Sequence, residues 1–246
     1  MGKERLRRWV DERHLELSPT ELADSVSRFT STCHLVLGNF LRPKAAAQVA
    51  GFLAEEAEFE IRYGLYSARP KAVSEARWQR ANDDDRFYRH RKLSGARDGR
   101  ELSTRLVDFL RLRRDLYDSA FRHLFESLTG LALGALGPLV ARAYEAGDYL
   151  RPHTDDAEGR QLALILYLAP AWRQEYGGSL HLTDPEGRQV VIGAEYNSAA
   201  VFDVTAGSEH WVAPISAHAA ARARLTLSGW FARPGSYPPS NNIVSE

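Results

Sequence analysis

Hydrophobic positions recur with two different periods along this chain. Up to about residue 130 they return every three to four residues, the spacing of amphipathic helices. Ser18-Pro-Thr-Glu21 is a capping box with proline at the first helical position, which predicts a helix to about Phe29. Phe40-Leu-Arg-Pro43 leads into an alanine-rich helix near 45–56. Ser103 caps a long amphipathic segment carrying Leu106, Phe109, Leu110, Leu116, Tyr117, Phe121, Leu124 and Phe125, which Gly130 ends. From Pro138 onward the apolar runs shorten. Those at 138–144, 161–168, 179–183, 188–192, 199–204, 209–215 and 223–231 are separated by turn residues such as Asp184-Pro-Glu-Gly187 and read as strands. Seven or so closely spaced strands behind a helical flank predict an α+β, mainly β architecture, a small sandwich or barrel with one sheet covered by helices.

The expected layout is a helical extension over 1–30, one domain over 31–234 with its β core at about 138–232, and a mobile tail over 235–246 rich in Pro, Ser and Asn. The apolar residues of the N-terminal helical pair (Leu6, Trp9, Val10; Leu15, Leu17, Leu22) suit docking on the barrel, with a homodimer contact as the alternative.

Composition narrows the partners. Lysine plus arginine equals aspartate plus glutamate at 32 each, so no broad field points to nucleic acid or to an anionic membrane. The arginines of 86–114 are interleaved with acidic residues and read as a solvated helical face. Cys33 is the single cysteine, and the N-terminal residues lack the apolar core of a secretory signal. No apolar stretch is long enough to span a membrane, so a reducing cytoplasm is the expected setting.

The candidate chemistry lies in the second half. In an extended segment His153 and Asp155 project from one face about 7 Å apart, close enough to converge on one ion. A third ligand must come from a distant strand, and His210, His181 and His218 are the available histidines. His210, just ahead of an apolar strand, is preferred over His181 within a strand and His218 in a loop. Two imidazoles and a carboxylate leave positions open on a ferrous ion. Arg224, Thr226 and Ser228 fall on one face of the last strand and Leu225 and Leu227 on the other, which suits a barrel holding an anion by a guanidinium fork. Tyr167, at the end of a run too apolar for an exposed edge, needs a partner when buried; a carboxylate on Arg224 would supply one. Tyr144 could line the mouth of the same site.

Several spaced motifs then occur in a familiar order: Tyr144-Glu-Ala-Gly-Asp-Tyr-Leu-Arg-Pro-His153, Ile165-Leu-Tyr-Leu168, Trp172, Tyr176-Gly-Gly-Ser-Leu180, Asn197, Phe202-Asp-Val204, Ser208-Glu-His210 and Arg224-Leu-Thr-Leu-Ser-Gly-Trp-Phe231. Through them the chain resembles the Fe(II)/2-oxoglutarate-dependent dioxygenases of the prolyl 4-hydroxylase superfamily. Arg86-Phe-Tyr88, Leu116-Tyr-Asp-Ser-Ala-Phe-Arg122 and Leu128-Thr-Gly130 extend the likeness toward the catalytic domain of the eukaryotic hydroxylases that modify a small-subunit ribosomal protein. The resemblance covers about 34–234. It implies a double-stranded β-helix (a cupin-like jelly roll), with His153, Asp155 and His210 holding iron. Arg224 would hold the distal carboxylate of 2-oxoglutarate, assisted by Tyr167 and Thr226, with Tyr144 nearby. It further implies O2 as oxidant, ascorbate as a stimulant, and decarboxylation to succinate and CO2 coupled to hydroxylation of a C–H bond, with a prolyl residue of a peptide or protein as substrate.

Thr154 intervenes where those relatives carry an aspartate directly after the histidine, Ala194 replaces a proline, and Trp211 replaces a polar residue. The relatives also carry a second, inactive barrel for which this sequence has no room, so ribosomal-protein specificity does not transfer. Two other readings stand beside the first: a tailoring hydroxylase of a free amino acid or small metabolite, its choice set by residues 58–102 and the rim loops, and a non-catalytic ligand-binding barrel. A halogenase is disfavoured because halide needs the coordination position of Asp155.

Overall fold

The run Leu162-Ala-Leu-Ile-Leu-Tyr167 is apolar at every position because the strand it forms is covered on both faces. The computed structural model describes residues 2–66, 71–97, 102–155, 159–184, 186–205 and 209–236; most of the expected tail, 237–246, and Asp156 and Ser208 lie outside them. The strands are β1 (His34–Leu37), β2 (Ala57–Leu65), β3 (Lys71–Val73), β4 (Arg86–Ala96), β5 (Val140–Tyr144), β6 (Tyr149–His153), β7 (Arg160–Tyr167), β8 (Leu180–Thr183), β9 (Gln189–Ile192), β10 (Ser198–Asp203), β11 (His210–Val212) and β12 (Arg224–Ala232). They pair in the order β1-β10-β7-β12-β5-β4-β6-β11-β8-β9, with β2 on β4 and β3 on β2. This nearly closed antiparallel sheet is the expected jelly-roll barrel.

Two apolar layers meet on β7. Leu162, Leu164 and Leu166 face outward with Val201, Leu225, Leu227 and Phe231 toward the helices. Ala163 and Tyr167 face inward against Leu180, Leu182, Ile192 and Phe202. The helices on the outer layer are α1 (Gly2–Trp9), α2 (Pro19–Thr32), α3 (Pro43–Gly51, prolonged by a π turn at Phe52–Glu56), α5 (Thr104–Asp115) and α6 (Ser119–Thr129); the short α4 (Glu75–Arg80) packs on β2. Ser18 caps α2 with the full capping box, and Gly130, at φ 74°, ends α6. Leu6, Trp9 and Val10 are buried, and the Trp9 indole donates to fully buried Asp115 at 3.0 Å, so the N-terminal helices dock on the core.

Two expectations need correction and a third needs completing. The first 130 residues are mainly helical, as expected, but they also contribute β1–β4 to the sheet. The segment expected as one long helix up to Gly130 is two, because the Asp118 side chain accepts from the Ala120 N–H and starts a new helix there. The arginine cluster is not one helical face: its first part is β4. Charge hid this strand, because Arg89 and Arg91 on its outer face are neutralised by Asp148, a fully buried carboxylate in the β5–β6 turn. β4 pairs through Tyr88 and Arg89 with β6 and through Arg91 and Lys92 with β5. It therefore bridges the two halves of the sheet and fixes the wall beside the candidate site.

Candidate active site

β6 and β11 lie antiparallel with His153 directly opposite His210. Cross-strand partners share a face, so both imidazoles enter the barrel, their ring centroids 4.2 Å apart. Asp155, two residues beyond His153, turns between them: its carboxylate lies 3.3 Å from His210 Nε2 and 3.9 Å from His153 Nε2. Among the described residues these three offer one ligand atom each, all within 4.8 Å of one another. His181 sits one strand away, in register with Trp211 and stacked on it at 4.8 Å, and its Nε2 meets Ser179 Oγ. His218 lies in an exposed 3-10 turn, hydrogen-bonded to Ser216. Neither joins the cluster.

The surroundings hold His153 and Asp155 in the form that a metal needs. His153 Nδ1 meets the Arg151 carbonyl at 3.0 Å, which orients the ring and leaves Nε2 toward Asp155. Burial and the neighbouring His210 push the His153 imidazole down to about 4, against the pull of Asp155, so the ring is neutral at ordinary pH. Burial alone would raise the Asp155 carboxyl; the hydrogen bond and charge of His210, with His153 and Arg160, outweigh it and hold the group well below the usual carboxylate range. Arg160 Nη1 donates to Asp155 Oδ1 at 2.9 Å and the Trp230 indole donates to Oδ2 at 2.7 Å. A borderline metal such as iron suits two imidazole nitrogens and one carboxylate.

Sequence reasoning gave Arg160 and Trp230 no role. For Trp230 the signal was available, because it continues the alternation Arg224, Thr226, Ser228 along β12. Arg160 begins a strand and carried no comparable mark.

The inner faces of β5, β7 and β12 are prepared for an anion. Arg224 is 2% exposed, yet its Nε and Nη2 have no hydrogen-bond partner, and neither has the fully buried Tyr167 hydroxyl. The guanidinium lies 5.0 Å from the Tyr167 ring centre and 5.2 Å from that of Tyr144. Register explains the grouping: Arg224 faces Tyr144 on β5, and Thr226 faces Tyr167 on β7. Burial pushes both phenols up, opposed by the nearby arginines, so both remain protonated donors. Gly178, at φ 72°, lets the chain pass close by; a Cβ there would stand 2.9 Å from Arg224 Cδ and 2.4 Å from Ile215 Cδ1. Unpaired buried donors cost free energy unless a ligand satisfies them. A carboxylate between Arg224 and Tyr167 would do so, and the donor set fits 2-oxoglutarate.

Residues 139–232, which contain all of these side chains, match the family model described as the 2OG-Fe(II) oxygenase superfamily. The barrel is thus similar to that superfamily, whose name carries Fe(II) and 2-oxoglutarate, and the His153, Asp155 and His210 cluster offers a possible metal site. Among curated proteins, the prolyl 3-hydroxylase OGFOD1 of Mus musculus is 31% identical over 147 residues, 57% of this chain and 27% of that protein. Prolyl 3-hydroxylase sudestada1 of Drosophila melanogaster is 30% identical over 172 residues, 65% of this chain and 30% of that one. The chain thus matches less than a third of the length of these relatives. A solved prolyl-4-hydroxylase of Pseudomonas putida superimposes with a TM-score of 0.56 at 21% identity, over 87% of this chain and 100% of that one. A prolyl hydroxylase from Trichoplax adhaerens, solved with a hypoxia inducible factor oxygen degradation domain peptide fragment, gives 0.56 at 17%, over 88% and 94%. These two structural likenesses speak for the fold. No helix among the described residues is long and apolar enough to cross a membrane.

Proposed function

We propose that this protein hydroxylates an unactivated C–H bond of a prolyl residue in a peptide or protein, with Fe(II), 2-oxoglutarate and O2. The observation that carries the proposal is the pairing of a buried two-histidine, one-carboxylate cluster with an unpartnered buried arginine and tyrosine inside the same barrel. In this reading His153, Asp155 and His210 hold the iron, and Arg224, Tyr167 and Thr226 receive the distal carboxylate of 2-oxoglutarate, with Tyr144 against the guanidinium. The bound metal and co-substrate supply the oxidising equivalent for hydroxylation. The chain's own part is placement: Arg160 and Trp230 fix both oxygens of Asp155, the Arg151 carbonyl fixes the His153 ring, and the apolar inner layer of β7, β8 and β10 excludes water.

The prolyl substrate is supported by the names of the curated relatives and by the open strand pair β2–β4, which extends the wall beyond the barrel as a shelf for an extended chain. We read the working unit as a single chain, because the apolar side chains of α1 that a homodimer contact would use are taken up by the core. Proline-containing peptides incubated with protein, Fe(II), 2-oxoglutarate and O2 should gain one oxygen atom with matching release of succinate. Turnover with free amino acids and none with peptides would replace the peptide substrate by a small metabolite.

A further inference from the structure

One inward-facing cation is used neither for the metal nor for 2-oxoglutarate. Arg142 lies on β5 one inward position from Tyr144, opposite Thr226 on β12 and opposite Lys92 on β4. Its Nη1 donates to Ser228 Oγ at 2.7 Å, and among the described residues it makes no ion pair. Like charges directly opposite on neighbouring strands repel, yet here Arg142 faces Lys92. On the β2 side of Lys92 stands Glu60, whose carboxylate is held by Arg62 at 2.6 Å. Arg62 in turn stands opposite His90, a buried ring stacked on Tyr88 at 4.7 Å and 5.5 Å from Tyr144. The face that runs from β2 across β4 to β5 thus carries three cations, Arg62, Lys92 and Arg142, and two carboxylates, Glu58 and Glu60, of which Glu60 is engaged by Arg62.

A half-buried guanidinium held by a single hydroxyl is poorly compensated, and an arriving anion would relieve it. The burial and nearby cations that push the His90 imidazole well below its ordinary value keep the ring neutral, so it adds no charge but senses the same field. The anion is not 2-oxoglutarate in this layout. Arg224 has its own unpartnered donors and its own phenol, whereas Ser228 is two inward positions further along β12, next to Trp230, which holds Asp155. The Arg142 guanidinium therefore reaches along β12 from Thr226 toward Trp230, away from Arg224.

We propose that Arg142, seated by Ser228 and backed by Lys92, receives a carboxylate of the substrate and selects substrates with an acidic group close to the hydroxylated carbon. This rests on the oxygenase reading. One inward step along a strand is about 7 Å, so in an extended peptide the acidic side chain would stand within about two residues of the target. In a small substrate the same carboxylate would belong to the molecule itself.

The test uses the full chain under argon with Fe(II) and 2-oxoglutarate. Fluorescently labelled proline-centred peptides carry Asp at one or two positions from the proline, or Asn at the same places; free proline and N-acetyl-aspartate, as competitors, represent small acids. The wild type should bind the Asp peptides about tenfold more tightly than their Asn counterparts. In Arg142→Gln that ratio should fall to about one, with Arg142→Lys between, and with melting temperature and 2-oxoglutarate affinity close to wild type. If competition by N-acetyl-aspartate alone depends on Arg142, the carboxylate belongs to a small substrate. A ratio that survives Arg142→Gln, or equal binding of both peptide sets and no competition in the wild type, overturns the proposal. So does an effect of Arg142→Gln confined to 2-oxoglutarate. Failure of the wild type to bind Fe(II) and 2-oxoglutarate together would instead remove the oxygenase reading beneath it.

Discussion

The indole N–H of Trp230 donates to Asp155 Oδ2 at 2.7 Å, joining the last strand of the barrel to the carboxylate between His153 and His210. With Arg160 on Oδ1, it leaves the aspartate one orientation. Outer partners of this type typically change metal affinity by about 10–100-fold. Trp230→Phe keeps the ring and removes the donor, so Fe(II) affinity should drop within that range while the fold persists. Competition with a chelating dye under argon measures it, and unchanged affinity would mean that Arg160 alone orients the carboxylate.

Arg224→Lys retains a positive charge but loses the planar fork. With Tyr167 still in place, the KM for 2-oxoglutarate should rise by about 10-fold or more, a lost charge-assisted bond being of the order of 1.5–3 kcal/mol. Gly178→Ala should produce a change in the same direction by crowding Arg224. Steady-state kinetics at varied 2-oxoglutarate separates this from an effect on the peptide.

Much of this arrangement was legible in the sequence. Alternation along β12 put Arg224, Thr226 and Ser228 on one face, and the apolar run of β7 marked Tyr167 as buried, because in both strands the outer face is covered and had to be apolar. β4 was not legible. Its outer arginines are paired with Asp148, distant in sequence, and its inner face is polar because it lines a site, so neither face shows the apolar period that marks a strand. Arg142 escaped for the same reason. Its meaning depends on Lys92 opposite and on Ser228 across the barrel, and no local pattern encodes either.

Asn197 ties the barrel to the N-terminal segment. At φ 60° its side chain accepts from the Leu41 N–H at 2.9 Å and donates to the Leu41 carbonyl at 2.7 Å. Asn197→Ala leaves both buried backbone groups unpaired in a backbone region that alanine disfavours, and should destabilise by about 2–4 kcal/mol. Urea unfolding should show a lower midpoint with an unchanged slope; a loss under about 0.5 kcal/mol would indicate that water replaces the amide.

His90 is buried among Tyr88 and Lys92 on its own strand, Arg62 on β2, and Arg142 and Tyr144 on β5, and its folded value lies well below 6.5. Its stabilising contribution is complete above the unfolded value of about 6.5. As pH falls below that, the unfolded chain takes up a proton that the folded chain refuses, and stability is lost toward the lower folded value. Metal-free wild type should therefore lose melting temperature between pH 7 and 5 more steeply than His90→Phe. Parallel curves would show that the ring is protonated in the folded state.

The central claim, that one cavity holds both Fe(II) and 2-oxoglutarate, is tested most directly by absorption spectroscopy under argon. Adding 2-oxoglutarate to the Fe(II)-loaded protein should produce a visible metal-to-ligand charge-transfer band that saturates at one equivalent, disappears in Asp155→Ala and requires more 2-oxoglutarate in Arg224→Lys. The absence of that band in the wild type, with iron demonstrably bound, would contradict the account.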